Sequence, residues 1–252
     1  MLTSLLLISP LSVAEGYQFK WEILYRTQGE THYGLWLLSG LKMTLVLACT
    51  SAFLAFILGT IFGIARLSRI TLLNKLAAAY VEFFRNTPLL VQLFFWYFGF
   101  TSITPIWLNK FLYNHHYEFL AALIGLSIYT SAFMTEVIRA GIQAIPKGQM
   151  EAAFSTGLTR LQSLRYVILP QAFRIIIPPL GSQFLNNLKN SSLAMTIGVA
   201  ELTWQSQQIQ ALTFRGFEPT TAATLIYLTL CLLIAAIINL IEWWLNIEVR
   251  KQ

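Results

Sequence analysis

The 252-residue sequence predicts an all-α, polytopic membrane protein on three observations. Apolar residues make up 56% of the chain and charged residues 11%, where an average globular domain carries about 25% charged. Apolar runs recur that are long enough to cross about 30 Å of hydrocarbon, roughly 20 residues of helix. Lys and Arg gather in alternate connecting segments, as they do on the cytoplasmic side of membrane proteins.

The same figures exclude other classes. A mean hydropathy of +0.61 is incompatible with disorder, coiled coil or collagen. Cys49 and Cys231 both lie in apolar runs, which excludes a disulfide scaffold and a Cys-based zinc site. The net charge of +6 comes with no basic stripe and no aromatic platform in a polar setting, so no nucleic-acid partner is expected.

In chain order, Met1–Ala14 is apolar with small residues before Glu15 but lacks a basic n-region. It is read as an interfacial or outer segment rather than a signal peptide, and residues 1–34 form this outer-side part. Residues 35–245 form the transmembrane domain, with five expected spans. The first, Leu35–Ala65, contains Gly59-x-x-x-Gly63, which permits close helix packing. The second, Leu76–Phe100, carries Glu82, Arg85 and Pro88 in its first half. Phe119–Ile138 is the third. The fourth, Phe173–Thr196, is interrupted by Pro178-Pro179 and dotted with amides; the fifth is Thr220–Leu245. Breaks and polar groups are tolerated where a helix faces protein or a cavity, so the second and fourth spans belong inside the bundle.

Arg66–Lys75, Arg139–Arg165 and Arg250–Lys251 concentrate the basic residues, whereas the alternate segments hold only Lys20, Arg26, Lys110 and Arg215. This bias puts the amino terminus outside and the 246–252 tail in the cytoplasm, as an odd number of spans requires. Trp36, Trp107, Trp243 and Trp244 fall near the expected interfaces.

The inner loop at about 141–165 is the most informative segment. Pro146 and Gly148 are expected to break the descending helix. Met150–Thr156 has room for about two turns, Gly157 suits a helix C-cap, and Thr159 with Gln162 makes a capping box for the next helix. A short helix lying crosswise at the membrane surface is expected, with Ala152 and Ala153 small enough for close approach. From these residues alone, an ordinary loop helix is an equal reading.

The sequence Glu151-Ala152-Ala153, with Gly157 four residues later and then Val167-x-Leu169-Pro170, resembles the EAA signature of bacterial ABC importer permeases. Val167 stands where Ile is usual. Tyr80-Val81-Glu82-Phe83-Phe84-Arg85-Asn86-Thr87-Pro88, Leu169-Pro170-Gln171-Ala172 and Ile177-Pro178-Pro179 are similar to the polar amino acid permease family. Lys189-Asn190-Ser191-Ser192-Leu193-Ala194 is similar to its glutamate, aspartate and broad-specificity branch. The resemblance spans roughly Gly34–Leu245. It implies a type I importer core of five helices, paired with a second permease subunit above two cytoplasmic ATPase subunits. An external binding protein delivers the amino acid, acidic or of broad specificity, with basic or neutral cargo as the alternative. The site is the bacterial inner membrane. The resemblance makes the inner-loop helix the coupling helix, so that Gln149, Glu151, Ala152, Ala153 and Gly157 meet the ATPase. The chain has no G-x-x-x-x-G-K-[ST] loop, so ATP and Mg belong on the partner and no cofactor on this chain.

Polar groups inside a membrane bundle are costly and mark candidate paths. Gln183, Asn187 and Asn190 recur at i, i+4 and i+7, one helix face, flanked by Lys189 and Ser191. Ser127, Thr130, Ser131 and Met134 form a smaller stripe in the third span. Amides and hydroxyls suit a zwitterion that must leave again, and Lys189 suits a carboxylate. The alternative is interhelical hydrogen bonding, worth about 0.6 kcal/mol on average in membranes. Glu82 with Arg85, and Glu136 with Arg139, stand at i, i+3 near the inner surface, as ion pairs or an inner gate. His115-His116 is a weak metal cue without a supporting carboxylate pattern, so no metal is assigned. A stand-alone transporter would show an inverted repeat, which is not evident. A membrane enzyme would need a reactive constellation, and neither H-E-x-x-H nor G-x-S-x-G is present, so no catalysis is expected.

Overall fold

The computed structural model describes residues 18–28, 31–114 and 116–245. Met1–Ala14, His115 and the 246–252 tail lie outside the described residues. The amino-terminal part holds a 3-10 turn, Trp21–Tyr25, and a hairpin of β1 (Thr27–Gln28) with β2 (Thr31–His32), paired antiparallel with Thr27 opposite His32. Among the described residues, everything beyond it is helical or loop.

Helix α1 (Tyr33–Arg66) has 34 residues, roughly 51 Å at 1.5 Å per residue, and over-spans the bilayer. It packs lengthwise on α5 (Tyr117–Gln143). The two glycines of the first span make this approach possible. A Cβ on Gly59 would stand 2.8 Å from Met134 Cβ and 3.2 Å from the Ser131 carbonyl, and one on Gly63 would stand 3.0 Å from Ile138. Thr135 adds a hydroxyl bond of 3.3 Å to the Gly59 carbonyl, a contact that only close backbones allow.

The expected second span is divided. Its residues form α2 (Thr71–Arg85) and α3 (Leu89–Ile103), the latter with a π turn at Phe95–Gly99. Pro88 has no N–H to continue the ladder and biases Thr87 away from helical angles. The exposed end of α2 is sealed locally: Thr87 Oγ1 donates to the Phe83 carbonyl at 3.0 Å, and Gln92 Nε2 to the Phe84 carbonyl at 3.0 Å. Below the break, Tyr80 reaches Ser131 Oγ at 2.6 Å; above it, Leu93 packs where Gly125 leaves room. The break therefore lies near the level of the middle of α5.

A short helix α4 (Ile106–Tyr113) precedes α5, and α6 (Lys147–Ser155) follows it. Then come α7 (Arg160–Ser163), a π turn at Leu164–Ile168, and α8 (Leu169–Asn190). Pro178 and Pro179 lie inside α8 without ending it, and the chain tightens into a 3-10 helix at Ser191–Ile197. Helices α9 (Leu202–Thr213) and α10 (Phe217–Trp244) complete the chain.

Among the described residues, three helices are long and apolar enough to cross a membrane: α1, α5 and α10. The other two expected spans fall short for physical reasons: one is cut at Pro88, and the other is made polar by its amides and by Arg174 and Lys189. Leu47, Leu89, Leu93, Leu126 and Ile197 form one buried cluster, while Ile138, Ile145, Ile168, Ala172 and Ile176 form a second that joins α5, α6 and α8. Large apolar side chains such as Phe53, Ile61, Leu228 and Leu232 point outward, as a lipid solvent permits.

Candidate translocation cavity and coupling surface

Helix α6 is bounded at both ends by residues the sequence supplies. The descending helix α5 ends at Gln143, Pro146 stands at the N-cap of α6, and Gly148 lies inside its first turn. At the other end Gly157 takes φ +84°, a conformation in which a side chain is strained. Its N–H bonds the Phe154 carbonyl at 2.9 Å and the Leu158 N–H bonds that of Ala153 at 3.2 Å, together a Schellman cap. Thr159 and Gln162 then form the reciprocal capping box. Ala153 packs inward; Gln149, Glu151, Ala152 and Phe154 remain on the exposed side. Gln149 Oε1 accepts from Gln171 Nε2 at 3.3 Å, which links α6 to α8. A groove of about 410 Å³ runs along Met150, Glu151, Phe154 and Leu164.

Just above, Glu136 holds two guanidinium groups. Arg139 donates to Oε2 at 2.6 and 2.9 Å, and Arg66 at the end of α1 donates to Oε1 at 3.3 Å. Asn74 ties Arg66 to the start of α2. The expected Glu82–Arg85 pair is a correction: among the described residues no ion pair joins them. Both side chains are exposed, and the Arg85 guanidinium instead lies over the Phe133 ring, 5.1 Å from its centroid. An aromatic face in the bundle competes successfully with a solvated carboxylate three residues away.

A cavity of about 480 Å³ lies between α5 and α8 and is lined by Tyr129, Thr130, Phe133, Gln183, Asn186, Asn187, Lys189 and Asn190. Within the amide stripe the three members differ. Gln183 and Asn190 are half-buried on the cavity wall, whereas Asn187 is fully buried behind it. The Asn187 amide donates to Ser51 Oγ at 2.8 Å and to the Ala48 carbonyl at 3.0 Å, and its Oδ1 accepts from Thr130 Oγ1 at 2.8 Å. These bonds knot α8 to α1 and α5. Ser127, Ser131 and Ser191 are buried and donate to carbonyls of their own helices, those of Leu123, Ile128 and Leu188. Lys189 is exposed and also borders a second cavity of about 420 Å³ with Ser192, Thr203, Thr224 and Tyr227.

Two features were missed from the sequence. Asn186, exposed on the cavity wall, shares a face with Gln183 and Asn190 at i, i+3 and i+7, a periodicity as good as the one chosen. Glu201, fully buried at the N-cap of α9, accepts from the Thr203 and Trp204 N–H groups at 2.9 and 2.7 Å. It also accepts from the Tyr227 hydroxyl at 2.7 Å and from Thr44 Oγ1 at 3.4 Å. No residue spacing announced that a loop carboxylate would gather donors from α1, α9 and α10. Among the described residues no three His, Cys, Asp or Glu side chains converge as a metal site would need.

An amide-lined cavity within a bundle of apolar helices fits a membrane transport subunit. The chain belongs to the family of binding-protein-dependent transport system inner membrane components, whose description matches residues 35–246. It is 37% identical over 218 residues to the glutamate/aspartate import permease protein GltJ of Escherichia coli (strain K12), covering 85% of this chain and 89% of that one. It is 39% identical over 205 residues to the probable glutamine ABC transporter permease protein GlnM of Bacillus subtilis (strain 168), covering 81% and 91%. A crystal structure of an amino acid ABC transporter with histidines matches with a TM-score of 0.75 at 38% identity, over 83% of this chain and 94% of that one. The inward-facing methionine transporter MetNI matches at 22% identity with a TM-score of 0.69, a likeness of fold.

Proposed function

We propose that this permease carries an acidic or broadly polar L-amino acid across the membrane by alternating access. The observation that carries the cargo assignment is the cavity wall: the four amides of Gln183, Asn186, Asn187 and Asn190, the hydroxyl residues Tyr129 and Thr130, and the Lys189 ammonium, with no carboxylate among its lining residues. Such a wall offers a zwitterion hydrogen bonds and one favourable charge, without the counter-charge that would hold a basic side chain. The similar proteins GltJ, a glutamate/aspartate permease, and GlnM, named as a probable glutamine permease, support this range.

In this reading a second permease, the same or a homologous chain, stands beside this one and completes the path. Two cytoplasmic ATPases with ATP and Mg bind below, and this chain holds no cofactor and performs no catalysis. An external binding protein delivers the cargo on the side of the amino terminus, with the carboxyl terminus cytoplasmic. The exposed face of α6, with Gln149, Glu151, Ala152 and the Gly157 cap, is the contact through which the ATPases bias the two states.

The test is uptake of labelled L-glutamate, L-glutamine and L-arginine by proteoliposomes containing the assembled complex. ATP-dependent accumulation of glutamate or glutamine in preference to arginine supports the assignment. Preferred uptake of arginine overturns the cargo, and uptake that persists without ATP overturns the coupling.

A further inference from the structure

The amino-terminal turn is stapled to the start of α10. The Lys20 backbone N–H donates to Glu218 Oε1 at 2.8 Å, and Arg215 Nη1 donates to the Gln18 carbonyl at 2.9 Å and to Glu218 Oε1 at 3.2 Å. Phe19 meets Phe217 edge to face, with centroids 4.9 Å apart. Ile23 is buried among Tyr33, Leu37 and Leu202, which fixes the underside of the turn on the bundle. Outward, the same locale shows Trp21, Tyr25 and Phe214, the last 94% exposed. Among the described residues, Phe214 is also one of two non-glycine residues with positive φ, at 54°. A bulky side chain in left-handed backbone is costly, yet here it projects away from the protein.

We infer that Trp21, Tyr25 and Phe214 form an aromatic foot that sits in the phospholipid headgroup region of the leaflet where α1 and α10 begin. Location commits the surface to lipid. Helix α10, to which the foot is stapled, buries none of its most apolar stretch, and away from the cavity bordered by Thr224 and Tyr227 it displays Leu225, Leu232 and Leu233 outward. The foot therefore continues a lipid-facing surface at its polar margin. The candidate cavity lies on α5 and α8, whereas α10 packs on α8 and α9, at the flank of the bundle. Trp and Tyr favour this margin because one part of each ring system is apolar and another hydrogen-bonds water or headgroups. Lys20, Glu22 and Arg26 alternate with the aromatic residues, as a segment lying among headgroups requires. The inference does not depend on the cargo.

The test uses the assembled complex in phospholipid nanodiscs, with Cys49→Ala and Cys231→Ala as background and nitroxide labels at Trp21→Cys and Phe214→Cys. Retained ATP-dependent transport establishes that each labelled variant is folded. Power-saturation measurements then compare access of oxygen with access of a water-soluble nickel chelate, calibrated on lipid-borne nitroxides. The expected result is a depth at the headgroup-to-first-carbon level at both positions, unchanged by saturating external binding protein. Chelate access equal to that of a fully hydrated nitroxide at both positions overturns the inference. So does loss of access to both reagents when binding protein is added, because the surface would then dock a protein.

Discussion

Asn187 and Ser51 are joined at 2.8 Å in a fully buried setting, through the amide nitrogen of one and the hydroxyl of the other. With the bonds to the Ala48 carbonyl and Thr130, this makes the central amide of the α8 stripe a knot among three helices rather than an open wall group. The cavity wall is left to its neighbours Gln183, Asn186 and Asn190.

Asn187→Leu should therefore lower the detergent stability of the complex. Single side-chain bonds between membrane helices average about 0.6 kcal/mol, and this change removes three and leaves the buried Thr130 hydroxyl without Asn187, whereas Ser51 keeps its bond to the Ala48 carbonyl, so a loss of roughly 1–3 kcal/mol is expected. Asn186→Leu should leave stability nearly unchanged and reduce transport. Thermal unfolding measured alongside uptake separates the two, and the opposite pattern would return Asn187 to the path.

This pair also shows how far the sequence could be read. Periodicity places Gln183, Asn187 and Asn190 on one helix face, but a face about 100° wide also admits Asn186, and which edge meets α1 depends on packing between distant segments. Local rules did better. The Gly157 cap and the Thr159–Gln162 box depend on a few consecutive residues, and both form in the structure. Pro88 was legible as an interruption, yet whether it would kink one span or divide it into α2 and α3 rests on Gln92 and Thr87 sealing the break. The burial of Glu201 had no local signature, because beyond the Thr203 and Trp204 N–H groups its donors are Tyr227 and the distant Thr44.

Gly157→Val tests the inner helix. At φ +84° a β-branched residue costs about 1–2 kcal/mol, and the Schellman bonds to Phe154 and Ala153 must distort. The expected outcome is normal membrane insertion with weaker stimulation of ATP hydrolysis by loaded binding protein. Since no heavy atom lies within 4 Å of a Cβ there, any loss in Gly157→Ala comes from backbone conformation, and it should be smaller. Full stimulation in the valine variant would remove this turn from coupling.

Glu136→Gln addresses the inner charge cluster. The carboxylate accepts from both Arg66 and Arg139, and it is the tie between the ends of α1 and α5. Hydrogen bonds to a charged group contribute about 1.5–3 kcal/mol, so the neutral amide should loosen the tie by an amount of that order. Hydrogen exchange should quicken at residues 62–75 and less so in the outer half of α5. Unchanged exchange at Arg66 and Asn74 would show that the cluster does not fasten this end.

Lys189 offers the sharpest test of cargo. Its side chain is exposed and borders both the 480 Å³ and the 420 Å³ cavities, so a solute moving between them passes its ammonium group. A unit charge 4 Å away interacts by about 4 kcal/mol at an effective dielectric of 20, and by nearer 1 kcal/mol in water. Solvent access keeps Lys189 between these limits, closer to the lower one. If the lysine attracts an acidic side chain, Lys189→Gln should reduce glutamate transport about tenfold and glutamine transport much less, as a difference near 1.4 kcal/mol implies. Lys189→Arg keeps the charge and should retain most of the glutamate flux. Uptake of both amino acids at saturating binding protein, at low and high salt, distinguishes the cases. An equal loss for the two would mean that the ammonium meets the α-carboxylate they share, and that acidic preference is set elsewhere in the assembly.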